Sequence, residues 1–394
     1  MIGKIGIQPK TFGAPTSVGL TTVFFLIGLA RLRGGIFRIP PDPGFDILRQ
    51  ARPVFRFSFF DISGSYLSIA PRIISKIAAF FPVELSAVIA ATCTLIIWAV
   101  AATICTLGIH HQTSSVSTAV ICGFLCVANP AAGESSIGNY GNAIWQMFIA
   151  AIIVYSSAEL IRKYIVSISI FSVVLGLSHP WSIITLIPLL GAFASSSPIE
   201  RRYLKRVIWL VAASFFIQLI VFIGTGDSAK RAGVTYWWTD MPLFWSFNLL
   251  FPPLLMFLVL FLSAFNQQRI ALYRLLPVQI ATAGLSVSAV CFIQGGIADR
   301  YFVAPMTLAI CSAGILYEQS AGRLRIFTRL VFLCSILIVG IGSIKWFTAG
   351  TYLNSGPTWN SEIIRLNADC DSNQSDKVEA QLSIGTAELN CADL

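Results

Sequence analysis

Apolar residues in this chain come in long unbroken runs, and polar residues collect in the gaps between them. A helix that crosses a bilayer needs about 20 apolar residues. Runs that read as spans fall at 13–31, 83–109, 114–131, 142–158, 164–178, 180–196, 206–224, 243–264, 275–294, 301–318 and 326–347. The pattern therefore predicts an all-α, polytopic membrane protein with about eleven transmembrane helices. His179-Pro180 splits two short runs, which read as two helices joined by a tight turn. Residues 1–347 form the membrane domain in this reading. Residues 348–394 form a short polar tail, too small to build a substantial core alone.

The gaps set the orientation. Arg162, Lys163, Arg201, Arg202, Lys205, Arg206, Arg269, Arg274, Arg323, Arg325 and Arg329 fall in one alternating set of short loops. The opposite set holds only Lys230, Arg231 and Arg300. Basic residues concentrate on the cytoplasmic side, so the first set and the N-terminus are expected inside. The 31–82 loop, the 130–142 loop, His179, the 225–242 loop, Asp299-Arg300 and the tail are then expected outside.

Composition agrees. The chain of 394 residues is 56% hydrophobic and 11% charged, with a mean hydropathy of +0.76. Soluble domains carry roughly 25% charged residues. The net charge of +9 speaks to anionic headgroups, and no nucleic-acid-binding motif is visible. Seven of the nine cysteines lie in apolar runs, where cysteine behaves as a small hydrophobe. Cys370 and Cys391 sit in the tail and can form a disulfide if the tail is outside.

One loop breaks the orientation rule. Residues 31–76 carry Arg31, Arg33, Arg38, Arg49, Arg52, Arg56, Arg72 and Lys76 against Asp42, Asp46 and Asp61. Long loops translocate largely regardless of charge, and an anionic lipid-linked substrate is the other explanation. Within it, 64–81 reads as a helix lying in the interface plane. Leu67, Ile73, Ile74 and Ile77 share one face, and Arg72 and Lys76 share another. Arg31, Arg33 and Arg38 need do no more than meet lipid headgroups.

Candidate chemistry gathers on the same side. Asp61, flanked by aromatics at the membrane boundary, suits a general base and equally suits a helix cap. Glu134, Asn139, Asn142 and Trp145 offer the acceptors, donors and flat ring that a sugar requires, and the same Gly/Asn segment can cap the next helix. Glycines 133, 138 and 141 permit close backbone approach. His179 lies at a helix break, in a structural or a functional role. Arg300, beside Tyr301, can clamp a phosphate or pair with Asp299. Tyr236, Trp237 and Trp238 read better as an interfacial belt. There is no Walker loop, no Rossmann glycine pattern, no HExxH and no Ser-His-Asp arrangement of persuasive spacing. Every inside loop is too short to hold a soluble nucleotide-sugar site.

The segments FFDISGSYLSIAPRIISKIAAFFP, GESSIGNYGNAIWQM, LSHPWSIITLIPLL and DRYFVAP resemble landmarks of a group of bacterial polytopic proteins, and the tail beginning near TWNSEI fits the same group. That group is similar in layout to the GT-C membrane glycosyltransferases. The resemblance implies a plasma-membrane enzyme, active on the outer face, that moves a sugar from a polyprenyl-phosphate donor to a cell-envelope glycan or lipid acceptor. Asp61 would be the base, and Arg72, Lys76 and Arg300 the phosphate binders. Glu134, Asn139, Asn142 and Trp145 would line the acceptor or sugar site, with His179 and Tyr301 nearby. The chain departs from the pattern in having no adjacent acidic pair at Asp61 and no large external domain. A divalent metal is left open. A transporter or flippase of lipid-linked saccharides, or a non-catalytic membrane subunit, would use the same residues without chemistry.

Overall fold

The structure of the protein, a computed structural model, describes residues 14–39, 62–63, 66–129, 137–224, 243–266, 276–293, 302–348, 356–372, 377–382 and 386–391. These residues are mostly helical. The helices are α1 (Ala14–Leu32), α2 (Ile69–Ala79), α3 (Ser86–Thr113), α4 (Val116–Val127), α5 (Ile144–Tyr155), α6 (Ala158–Lys163), α7 (Ile165–Gly176), α8 (Leu186–Ser195), α9 (Pro198–Gly224), α10 (Leu243–Asn266), α11 (Leu276–Ile293), α12 (Val303–Gln319), α13 (Gly322–Thr348) and α14 (Trp359–Ser372). Two antiparallel hairpins join them, β1 (Ile62–Ser63) with β2 (Tyr66–Leu67), and β3 (Lys377–Gln381) with β4 (Thr386–Asn390). The all-α expectation did not include these hairpins.

Among the described residues four stretches are long and apolar enough to cross a membrane: Pro15–Phe37, Val83–Thr113, Pro198–Gly224 and Gly322–Ile344. The split at His179-Pro180 is present, with α7 on one side and a 3-10 segment, Pro180–Thr185, leading into α8 on the other. Local chemistry explains several starts. Ser197-Pro198-Ile199-Glu200 forms a reciprocal cap on α9: Glu200 Oε2 accepts from the Ser197 N–H at 3.0 Å, and Ser197 Oγ accepts from the Glu200 N–H at 3.4 Å. Proline in the first turn has no N–H to leave unsatisfied.

The 28-residue α3 is the axis of the bundle and packs against α1, α2, α4, α5 and α12. Its alanines and threonines let neighbours approach closely, as membrane helix interfaces require. Gly123 of α4 is pressed against Thr106 and Ala102 of α3, so any side chain there would collide. Cys105, Cys122, Cys126 and Cys311 are fully buried on α3, α4 and α12, with Cys105 Sγ 3.6 Å from Cys311 Sγ. Outward-facing residues are large and apolar, including Trp209, Ile223 and Ile341. An apolar outer surface suits a lipid surround.

The tail folds as a cap. Trp359, Ile363 and Leu366 of α14 and Val378, Ala380 and Leu389 of the hairpin pack with Ile74, Ala78, Val83, Ala87 and Tyr140. Trp359 Nε1 donates to the Val83 carbonyl at 2.8 Å. Glu362, 2% exposed, accepts from the Gln381 N–H at 2.6 Å and from Arg365 Nη2 at 2.5 Å. That carboxylate holds the Arg365 guanidinium above its usual range. Cys370 and Cys391 are joined by a disulfide with Cα atoms 5.7 Å apart.

Replacing Cys370 and Cys391 by serine opens a cross-link between residues 21 apart and is expected to cost the cap about 3 kcal/mol. Amide exchange across 359–391 should then accelerate while α3 keeps its protection. Unchanged exchange in the cap would refute this.

Candidate functional site

The hairpin β1–β2 follows Asp61 directly in sequence, and two anchors fix it to the bundle. Gln218, completely buried on α9, grips the Leu67 backbone from both sides: its Nε2 donates to the Leu67 carbonyl and its Oε1 accepts from the Leu67 N–H, each at 3.0 Å. One turn later, the first turn of α2 docks on the end of α7. The Ala70 N–H donates to Ser178 Oγ at 2.9 Å, and the Ile69 N–H points at the Leu177 carbonyl at 3.5 Å. The start of α2 is therefore held against the residues that precede His179.

Arg72 is 4% exposed and lies on the buried face of α2 with Ile69, Ile74, Ser75 and Ala78. The outward side carries Ile77 and is followed by Phe80, 84% exposed. The expected division into an apolar face and a basic face is met only in part: Ile74 shares the buried side with Arg72, while Ile77 faces out. The helix also begins at Ile69, so Leu67 belongs to β2. Lys76, half-buried, sits one turn beyond Arg72.

Three other elements meet at this end. The turn Tyr140–Asn142 packs on α2, and the segment Pro180–Thr185 packs on α5. Asn139 is fully buried and caps that turn, its Oδ1 accepting from the Gly141 N–H at 3.0 Å. Gly138 has φ of +73°, and Leu32 occupies the space where its side chain would be, 2.8 Å from an ideal Cβ. Its freedom serves close packing with α1. Asn142 and Trp145 are buried at the start of α5. Trp145 forms an aromatic triad with His179 and Trp181, with ring centroids 5.0–5.6 Å apart. His179 Nδ1 accepts from the Trp181 N–H at 3.2 Å, which places the proton of the neutral ring on Nε2. Asn139 and His179 thus each cap a turn, and each caps it beside the triad.

Asp61, Glu134, Arg300 and Tyr301 lie outside the described residues, as do Lys230 and Arg231 of the 225–242 loop. Among the described residues Arg72, Lys76, Asn139, Asn142, Trp145 and His179 come to one end of the bundle, and no group of three His, Cys, Asp or Glu side chains is arranged to hold a metal. The basic residues at the start of the first loop have structural tasks. Arg31, 3% exposed, donates to the Val127 carbonyl at 2.7 Å, at the C-terminal end of α4. A cation is favoured there by the helix dipole. Arg38 donates to the carbonyls of Gly34 and Gly356. Of the three, Arg33 alone is exposed.

Sequence reasoning missed Gln218, Ser178 and Trp181. It also missed Gln146 and Ser182, neighbours of the triad in sequence, whose buried polar atoms meet no hydrogen-bond partner among the described residues. A signal was available for the two glutamines, since each interrupts an apolar run at a depth where a polar group is costly. No protein-family model matches the chain, and no curated protein is similar to it.

Replacing Gln218 by leucine strips the Leu67 N–H and carbonyl of these partners in a buried place. The expected cost is about 2–3 kcal/mol, read as a lower unfolding temperature and rapid exchange of the Leu67 amide. If the Leu67 amide stays protected in that variant, the anchor is not what holds the hairpin.

Proposed function

We propose that the protein is a membrane glycosyltransferase that takes a sugar from a polyprenyl-phosphate donor. The observation that supports this reading most is the convergence at one end of the bundle. Elements from residues 66–79, 139–145, 178–182 and 218 bring a buried guanidinium, an ammonium, two buried amides and an aromatic triad together. Cations in a place of low dielectric suit a phosphate, and aromatic faces with amide partners suit a sugar ring.

In this reading the shorter apolar helices are also embedded, which with the segments outside the described residues gives about eleven spans. The end that carries α2 and the cap faces away from the cytoplasm, and the Cys370–Cys391 disulfide favours that side. Asp61, which directly precedes the anchored hairpin in sequence, removes the proton of an acceptor hydroxyl. The acceptor oxygen bonds to the anomeric carbon as the bond from that carbon to the lipid phosphate oxygen breaks. The configuration inverts, and the released phosphate dianion is held by Arg72, Lys76 and Arg300. Glu134, Asn139, Asn142, Trp145, His179 and Tyr301 surround the sugar and acceptor.

Purified protein incubated with a polyprenyl-phosphate sugar and a glycan or lipid acceptor should release polyprenyl phosphate. Changing Asp61 to Asn should lower that release by about 100- to 10,000-fold while donor binding persists. Full activity in Asp61→Asn would remove Asp61 from the role of base. Movement of intact donor between leaflets without release would favour a flippase.

A further inference from the structure

The 27-residue α9 divides cleanly by face. Leu204, Val207, Val211 and Gln218 are buried and share one side. At about 3.6 residues per turn, the opposite side carries Arg202, Lys205, Arg206, Trp209, Phe216 and Ile220 in one stripe, and all of them are exposed. The stripe is ordered along the axis. Its cations come first, an indole 73% exposed follows, and the remainder is apolar.

Length sets the depth of each part. The helix runs about 40 Å at 1.5 Å per residue, against a hydrocarbon core roughly 30 Å thick. With the apolar part of the stripe in the core, about 10 Å of the first turns stand in the headgroup layer. The three cations then lie at phosphate depth, and Trp209 lies at the boundary, where tryptophan is favoured. Gln218, which grips Leu67 beside α2, is about 24 Å along the axis from Arg202, so the cations belong to the end of the bundle away from the candidate site.

These cations have no partner in the chain. Glu200 is bound to Ser197 in the cap and lies on the other side of the helix. Arg201 donates to the Phe193 carbonyl and covers the Phe193 ring. Arg202, Lys205 and Arg206 make no hydrogen bond or ion pair among the described residues. The adjoining α6, which packs against α9, ends in the exposed Arg162 and Lys163 and strengthens the same positive field. A free phosphate would use the cations and leave the indole and the apolar stripe idle. A neutral lipid would use the stripe and leave the cations uncompensated. A phospholipid with a negative headgroup uses both.

We infer that this face of α9 is a binding site for an anionic phospholipid. Its phosphate meets Arg202 and Arg206 with Lys205 alongside, its glycerol region meets Trp209, and an acyl chain lies along Phe216 and Ile220. The site rests on α9 as a span and not on the sugar donor proposed above.

Native mass spectrometry of the purified full chain, with dioleoyl phosphatidylglycerol and dioleoyl phosphatidylcholine as probes, tests it. The anionic lipid should be retained about tenfold or more over the zwitterionic one. Arg202→Gln combined with Arg206→Gln should lower its affinity about 10- to 30-fold, whereas Arg323→Gln combined with Arg329→Gln, which removes the same charge from the exposed start of α13, should change it less than about twofold. Both pairs are exposed, so the melting temperature should hold in each. Equal retention of the two lipids overturns the inference. So does an equal loss in the two double variants, which would mark a diffuse charge effect with no site. Displacement of the lipid by inorganic phosphate also overturns it, since the cations would then bind phosphate alone.

Discussion

A helix that stops inside an apolar slab leaves its last carbonyls and first amides without water, and each must find a partner within the protein. Backbone groups at the end of α4, at β2 and at the start of α2 are met in this way by side chains. The carbonyls closing α4 are met by Arg31 at Val127 and by Ser343 at Ala128. Asn129, just beyond, is fully buried and donates to the Val303 carbonyl and to Thr307, which fastens the end of α4 to the start of α12. The break after α7 uses Ser178 and His179, and the short strand before α2 uses Gln218. Most of the polar side chains at the candidate site's end are therefore there first because backbone groups need them.

The candidate site inherits its rigidity from these terminations. Asn139 and His179 each accept a backbone N–H, so their orientations are set before any ligand arrives. The triad of Trp145, His179 and Trp181 then presents fixed faces, and Arg72 is carried by a helix whose first turn is tied to the 177–178 turn. Preorganisation of this kind lowers the ordering cost of binding.

Much of this was legible in the sequence, for physical reasons. Long apolar runs mark helices in lipid as plainly as anything in a chain, and His179-Pro180 marked the break between α7 and α8 correctly. The edges were less legible: α9 begins at Pro198, well before its apolar run, because Ser197 and Glu200 cap it and charged residues extend it. The facing of α2 was less legible, because Ile74 and Arg72, on separate faces in the sequence pattern, are buried together once the helix packs on the bundle and the cap. Gly138 was read as space for a ligand and is filled by Leu32, a partner more than 100 residues away that no local pattern announces. The first hairpin was invisible, since two-residue strands are too short to show alternation.

The hydrogen bond from Trp359 to Val83 joins residues 276 positions apart. Translation at about 5–20 residues per second means that the first partner waits some tens of seconds for the second. Throughout that interval the start of α3 and the flank of α2 at Ile74 and Ala78 have no cap to lie against. Assembly of this end of the molecule therefore waits for the tail to be made. A chain stalled or cleaved before residue 359 lacks the cap that covers α2 and the start of α3, which makes that end of the bundle depend on residues made hundreds of positions later.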